Sequence, residues 1–285
     1  MLQPPTLLNF INGDGRVTLS WKASPDQAMD DFQGYSVYRD TTSMEGLAPI
    51  DMGGKRLNPA PPTTVGTVTT YTDPTAVNGV RYFYRLIGVK GGTFNEFSSG
   101  LEIETAARPE AIGDTLFEIG LGSRPCGIRL RDGRAFFMDS LSLATGACAD
   151  SIDLYLGTVA ARDAVWNYGT RDTTLHNLSI KSPHLVSSDG HLAPDWGARQ
   201  TEILSLGLLD AGWNLNTLIP QAVWSDRFDL GADSTDGEVL AIRTPAADSL
   251  FHYAKVQVLD HQGDGGERSV ILRIAYQLRE NYARF

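Results

Sequence analysis

The sequence predicts an all-β protein made of two β-rich domains in tandem. Three observations carry that prediction. Short runs in which apolar and polar residues alternate recur along the chain, separated by clusters of turn-forming residues. Glycine is abundant, at 29 of 285 residues, and Thr, Val, Ser and Asp fill many of the short runs, a composition that suits strands joined by turns. Long helical heptads are absent. The length leaves room for two domains, each with its own core. A hydrophobic fraction of 42% and a charged fraction of 20% belong to a folded globular chain. The expected domains are residues 1–108 and 109–285.

In the first domain, Val17, Leu19 and Trp21 fall on one face of a strand. Tyr35-Ser36-Val37-Tyr38-Arg39 alternates again, and Tyr71-Thr72-Asp73-Pro74 reads as a strand running into a turn. Asn78-Gly79 marks another turn, followed by a strand over residues 81–89 and a last one over 98–103. Together with Pro4-Pro5 at the start, these residues follow one another in an order that resembles a fibronectin type III domain. The resemblance implies a β-sandwich in which Trp21 and Tyr82 are core residues, Tyr82 near a tyrosine corner, and a non-catalytic spacer or docking role. Residues 42–64 depart from it as a long Gly- and Pro-rich connection, expected to be a loose insertion or a contact surface. Ala106-Ala107-Arg108-Pro109 is expected to be an exposed linker.

Strand signals resume with Leu116, Ile119 and Leu121. Arg131-Asp132-Gly133-Arg134 between alternating segments predicts a hairpin, with Cys126 and Cys148 on either side of it. Further strands are expected over residues 202–206, 239–243, 253–259 and 269–277, the last two joined by the glycine-rich turn at 261–266. Gly237-Glu238-Val239-Leu240-Ala241-Ile242-Arg243-Thr244, Tyr253-Ala254-Lys255-Val256-Gln257, Gly265-Gly266 and Ile274-Ala275-Tyr276-Gln277 resemble the HmuY-like family of secreted and outer-membrane haem-binding proteins. Ser151-Ile152-Asp153-Leu154 is similar to that family's Trp-Asp strand. Residues 245–250 depart from it by lengthening a tight turn. The family's ligating histidines have no matching motif here, but His176, His184 and His191 lie in one irregular stretch, and neutral imidazoles could take haem iron from two sides.

Chemistry-bearing motifs are absent: there is no Gly-x-Ser-x-Gly, no His-Glu-x-x-His, no phosphate-cradling glycine loop and no Cys-x-x-Cys. Asp229, Asp233, Asp236 and Glu238 are acidic neighbours without EF-hand spacing, expected to be a solvated turn. Trp166, Tyr168, Trp196, Trp213 and Trp224 concentrate aromatic area in the middle of the second domain, as core filling or as a contact patch. A net charge of −10 argues against nucleic acid as a partner, since phosphate binding needs clustered cations.

No apolar run approaches the roughly 20 residues that span a bilayer. Cys126 and Cys148 could form one disulfide in an oxidising compartment, or remain two buried thiols. The reading is a non-enzymatic, extracytoplasmic bacterial scaffold, periplasmic or surface-attached through a partner, a removed leader or a lipid anchor. It binds a protein partner such as an integral membrane complex and needs no cofactor. The alternatives are haem capture by the second domain and an accessory role in a glycan-active protein.

Overall fold

The computed structural model describes residues 2–58, 69–91, 96–119, 124–137, 152–158, 178–185, 199–208, 213, 223–230, 237–246, 249–262 and 268–283. It divides into two units, Met1–Arg108 and Pro109–Ala283. Among the described residues all strand pairings are antiparallel, and two short 3-10 turns, Pro25–Ala28 and Pro49–Lys55, are set among the strands of the first unit.

In the first unit, β1 (Thr6–Gly13), β2 (Arg16–Lys22) and β4 (Thr70–Asp73) form one sheet in the order β1-β2-β4. β3 (Phe32–Asp40), β5 (Arg81–Lys90), β6 (Glu96–Phe97) and β7 (Leu101–Ala106) form the other, with β5 paired to the remaining three. Alternation turns Phe10, Val17, Leu19 and Trp21 of the first sheet against Tyr35, Val37, Tyr82, Tyr84 and Leu86 of the second. Each such apolar side chain contributes about 1.5–3 kcal/mol by leaving water. Trp21 meets Tyr35 edge to face, with ring centroids 5.2 Å apart. This is a fibronectin type III-like β-sandwich, and Trp21 and Tyr82 both lie in its core. The hydroxyl bond between the sheets comes from Tyr84 rather than Tyr82: Tyr84 donates to Asp73 at 2.7 Å, while the Tyr82 ring lies under the Arg39 guanidinium.

The described part of the long connection, as far as Asn58, is neither loose nor wholly exposed. Met44 and Met52 are buried against Tyr38, Ile87 and Phe83 on the outer face of the second sheet, which is why β3 is buried on both faces where simple alternation predicts one. Glu102 takes the Met44 N–H at 2.7 Å and the Ser43 hydroxyl, and Arg85 donates to the Met44 carbonyl. Asn58 then acts as a stand-in strand residue, accepting from Val37 N–H at 2.9 Å and donating to the Tyr35 carbonyl at 2.6 Å. The expected linker is also corrected. Ala106 ends β7, the Ala107 carbonyl accepts from Gly79, Arg108 N–H donates to Gly13, and all three residues are buried.

In the second unit, β8 (Glu110–Ile112), β9 (Leu116–Phe117), β14 (Glu202–Leu208), β16 (Glu238–Pro245), β17 (Phe251–Gln262) and β18 (Ser269–Tyr276) make a sheet in the order β14-β16-β17-β18-β8, with β9 also on β18. β10 (Pro125–Arg129), β11 (Arg134–Phe137), β12 (Leu154–Thr158), β13 (Leu178–Lys181) and β15 (Arg227–Leu230) make the other, in the order β11-β10-β12-β13-β15. Leu240, Ile242, Val256, Leu272 and Ile274 pack against Ile128, Leu154, Leu156, Ile180 and Leu230. The predicted Asp-Gly hairpin joins β10 to β11, with Gly133 at φ 70°, a conformation that glycine adopts without strain.

Candidate functional site

The outer face of the six-stranded sheet gathers the groups best suited to recognition. Strand alternation points Leu240, Ile242, Ala254 and Val256 into the core, so Ala241, Arg243, Tyr253 and Lys255 point out. Register then sets Glu202, Arg243 and Tyr253 side by side in one row. The next row is Leu204, Ala241, Lys255, Ala275 and Glu110.

Arg243 is the centre of the first row. Its guanidinium carbon lies 4.6 Å from the Trp224 ring centre and 4.8 Å from that of Phe251, and its Nε donates to the Glu202 carboxylate. Hydrogen bonding to Glu202, ahead of the opposing effect of burial, raises the Arg243 pKa further and keeps it charged. Trp224 is positioned by its neighbour: Ser225 exchanges both backbone hydrogen bonds with Ile203 of the edge strand, at 2.7 and 2.9 Å. Val223, the preceding residue, is 94% exposed.

Lys255 is the centre of the second row. Its small flanking partners Ala241 and Ala275 leave room for the long side chain to lie down, and it is buried. Its ammonium donates to the Trp213 carbonyl at 3.1 Å and lies 5.8 Å from the Trp213 ring. Arg273 sits 4.3 Å from the same ring and 3.2 Å from Glu110.

At one end of this sandwich the inward-facing residues change from apolar to polar. Thr244, His252 and Tyr276 close the six-stranded sheet, and Asp153, just before β12, meets them from the other sheet. Asp153 accepts from Leu130 N–H at 2.7 Å and lies 3.1 Å from Arg199, an ion pair without an aligned hydrogen bond. Burial pushes the Asp153 carboxyl above the usual range, and Arg199 and the Leu130 N–H pull it only part of the way back. Burial, then the Asp153 charge, pushes the Tyr276 hydroxyl up to about 12.

The sequence-derived candidates divide clearly. Trp213 and Trp224 come to the same sheet face, Trp213 buried and Trp224 partly exposed, whereas Trp166, Tyr168 and Trp196 lie outside the described residues. His184 is bound to the Ser182 hydroxyl at 2.7 Å and lies 3.6 Å from Asp226; His176 and His191 are outside the described residues. The Ser182, His184, Asp226 trio is a turn brace, since Ser182 is fully buried and its hydroxyl also accepts from Thr201 N–H at 2.8 Å. Cys126 is buried, and Cys148 is outside the described residues.

Of the acidic neighbours, Asp229 accepts from Ser179 at 2.7 Å and is exposed, while Glu238 turns to Ser205 and is buried. Asp233 and Asp236 are outside the described residues. Among the described residues no group of three or more His, Cys, Asp or Glu is placed to hold a metal ion. Sequence reading missed Arg243, Lys255 and Arg273. The available signal was a cation at an outward position of a strand otherwise apolar on both faces, as in Ala254-Lys255-Val256.

No protein-family model and no curated protein matches this sequence. Solved structures are similar to it in part. A Fn3-like protein from Clostridium thermocellum is 25% identical, over 35% of this chain and 90% of that one, with a TM-score of 0.25. A DUF4466 family protein from Parabacteroides merdae is 13% identical, over 95% and 99% of the two chains, with a TM-score of 0.39. The FN1–FN3 domains of chicken CNTN1 are 13% identical, over 98% and 67%, with a TM-score of 0.27.

Proposed function

We propose that this protein is a non-catalytic binding or scaffold component of an extracytoplasmic bacterial assembly, and that its second unit docks a protein partner through the accessible Val223, Trp224, Arg243 and Phe251 end of the outer face of the six-stranded sheet. The observation that carries the reading is Arg243 stacked between Trp224 and Phe251 and tethered by Glu202, beside the exposed Val223. A guanidinium held between two rings has little freedom left to lose on contact, and Trp and Arg are the side chains that dominate interface energetics. The fibronectin type III-like unit serves as spacer or second docking module. An integral membrane complex is a suitable partner, because it would hold at a membrane a chain in which no helix among the described residues is long and apolar enough to cross one.

The test is to recover the tagged protein from envelopes of its native host and to compare wild type with Trp224→Ala and Arg243→Ala. Each variant is expected to lose the co-purifying partner at least tenfold, about 1.4 kcal/mol, with its melting temperature unchanged within about 3 °C. Full retention of the partner by both folded variants would exclude this face. The HmuY-like resemblance rests on strand and turn residues and supplies no ligand motif, so haem capture is a separate proposal with its own test.

A further inference from the structure

The polar end of the second unit holds a set of buried groups that the docking face does not use. Asp153 Oδ1, Thr201 Oγ1 and Thr244 Oγ1 are buried and find no hydrogen-bond partner among the described residues. Strand geometry brings the two threonines together. Glu202 pairs with Arg243 across β14 and β16, so one step further along Thr201 stands opposite Thr244, on the inward face shared with Ile203 and Ile242. Thr244 also lies beside the Tyr276 hydroxyl, and Asp153, reaching in from the other sheet, acts on that hydroxyl by its charge. The backbone around them is fixed: Thr201 N–H donates to Ser182 at 2.8 Å, Ile203 exchanges both backbone bonds with Ser225, and Gln277 N–H donates to the Tyr253 carbonyl at 2.8 Å. The unpaired oxygens therefore cannot close on one another by a shift of the strands.

We propose that these three oxygens, together with the Tyr276 hydroxyl, form a binding site for an internal water molecule that bridges the two sheets. Leaving three buried oxygens unpaired is costly, and a single water, which both donates and accepts twice, can serve all three. The charges select the occupant. Arg199, 3.1 Å from Asp153 Oδ1, disfavours a cation, and the Asp153 carboxylate disfavours an anion. An apolar guest would leave the same oxygens unpaired. What fits is a small neutral molecule that donates and accepts at once. The water bonds to Asp153 Oδ1 and to the two threonine hydroxyls, each of which can turn to donate or to accept. Beneath it Leu154, Ile242 and Ile274 offer nothing polar, which holds the water at this level of the sandwich.

Magnetic relaxation dispersion of the solvent deuterium signal counts long-lived internal waters, and waters elsewhere cancel when variants of the full chain are compared with wild type. Thr244→Val and Thr201→Val each keep the side-chain shape and remove one hydroxyl. Each is expected to lose about one long-lived water, and the double variant to lose no more than either single change, because the same molecule serves both residues. A crystal structure of the wild-type protein should place an ordered water within hydrogen-bond distance of Asp153 Oδ1 and a threonine hydroxyl. Unchanged dispersion in both folded variants, a larger loss in the double variant, or a direct hydrogen bond from either threonine to Asp153 would overturn the shared site. Should one variant fail to fold, the other and the wild-type crystal structure decide. These readouts need no partner, so failure of the docking face and failure of the water site are separate results.

Discussion

Among the described residues each unit holds one solvent-inaccessible aspartate, and the two charges are treated in opposite ways. Asp73 of the first unit is 1% exposed, and Asp153 of the second is 2% exposed. Burial pushes both carboxyls up. At Asp73 the Tyr84 hydroxyl, the Thr75 hydroxyl and N–H, and Arg39 at 2.6 Å outweigh burial and hold the carboxyl below the usual range. Asp153 has one backbone donor and one imperfectly aligned arginine, and burial wins. Deeper enclosure and fewer donors act in the same direction at Asp153, whereas Asp73, less deeply enclosed, has several donors aimed at its carboxylate. Asp73 ties two sheets through Tyr84 and Arg39, and Asp153 ties two sheets through Arg199.

The largest expected effect tests that contrast directly. Asp73→Asn leaves Arg39 and Tyr84 without their charged acceptor and should destabilise the first unit by about 3 kcal/mol. Asp153→Asn at neutral pH should change the second unit by less than about 1 kcal/mol, since it removes a costly buried charge along with its ion pair. Urea unfolding, with hydrogen exchange reporting each unit, measures both, and equal losses would break the comparison.

A difference of similar size belongs to the second unit alone. If the protein matures in an oxidising compartment, Cys126 and Cys148 should be joined, seen in non-reducing mass spectrometry as the loss of two hydrogens. Reduction should then lower that unit's stability by about 3 kcal/mol. Two freely alkylated thiols in the folded native protein would count against the extracytoplasmic proposal.

The pH dependence should be smaller and opposite in sign in the two units. The folded-state pKa of Asp73 is depressed, so its stabilisation is present above about pH 3.9 and is lost as pH falls through the lower folded value. For Asp153 the folded value is raised, so its contribution is full below about pH 3.9 and is lost as pH rises through the folded value. Subtracting the profile of each Asn variant from wild type isolates these slopes, and slopes of the same sign would refute the contrast between the two carboxyls. The smallest expected effect is on haem: ferric haem titrated into the protein should give no sharp Soret band that His176→Ala, His184→Ala or His191→Ala removes. A stoichiometric bis-histidine spectrum abolished by one of these changes would instead favour haem capture.

Much of the strand layout was legible because alternation is local. Val17, Leu19 and Trp21 share a buried face, residues 239–243 lie within β16 and 253–259 within β17, and Asp132-Gly133 turns the β10–β11 hairpin. Misreadings arose where a distant segment covers a face. Residues 42–64 look like a loose insertion until Met44 and Met52 fold over Tyr38, and Ala106-Ala107-Arg108 looks like an exposed linker until Gly79 and Gly13 bond to it. The aromatic patch was half legible: Trp213 and Trp224 could be singled out by type, but not the cations that stack on them.

The amino-acid order alone determined which residues could be strands, where the chain must turn and which faces are apolar, because those properties depend on neighbours one to four positions away. Only the tertiary structure decided that Arg243 would meet Trp224 and Phe251, that Tyr84 rather than Tyr82 would reach Asp73, and that Asp153 would face Arg199. Each of those contacts depends on the order and register of strands within a sheet, or on which sheet ends come together. A charge far along the chain shifts a carboxyl only through its distance in space, and that distance does not exist until the sheets have closed.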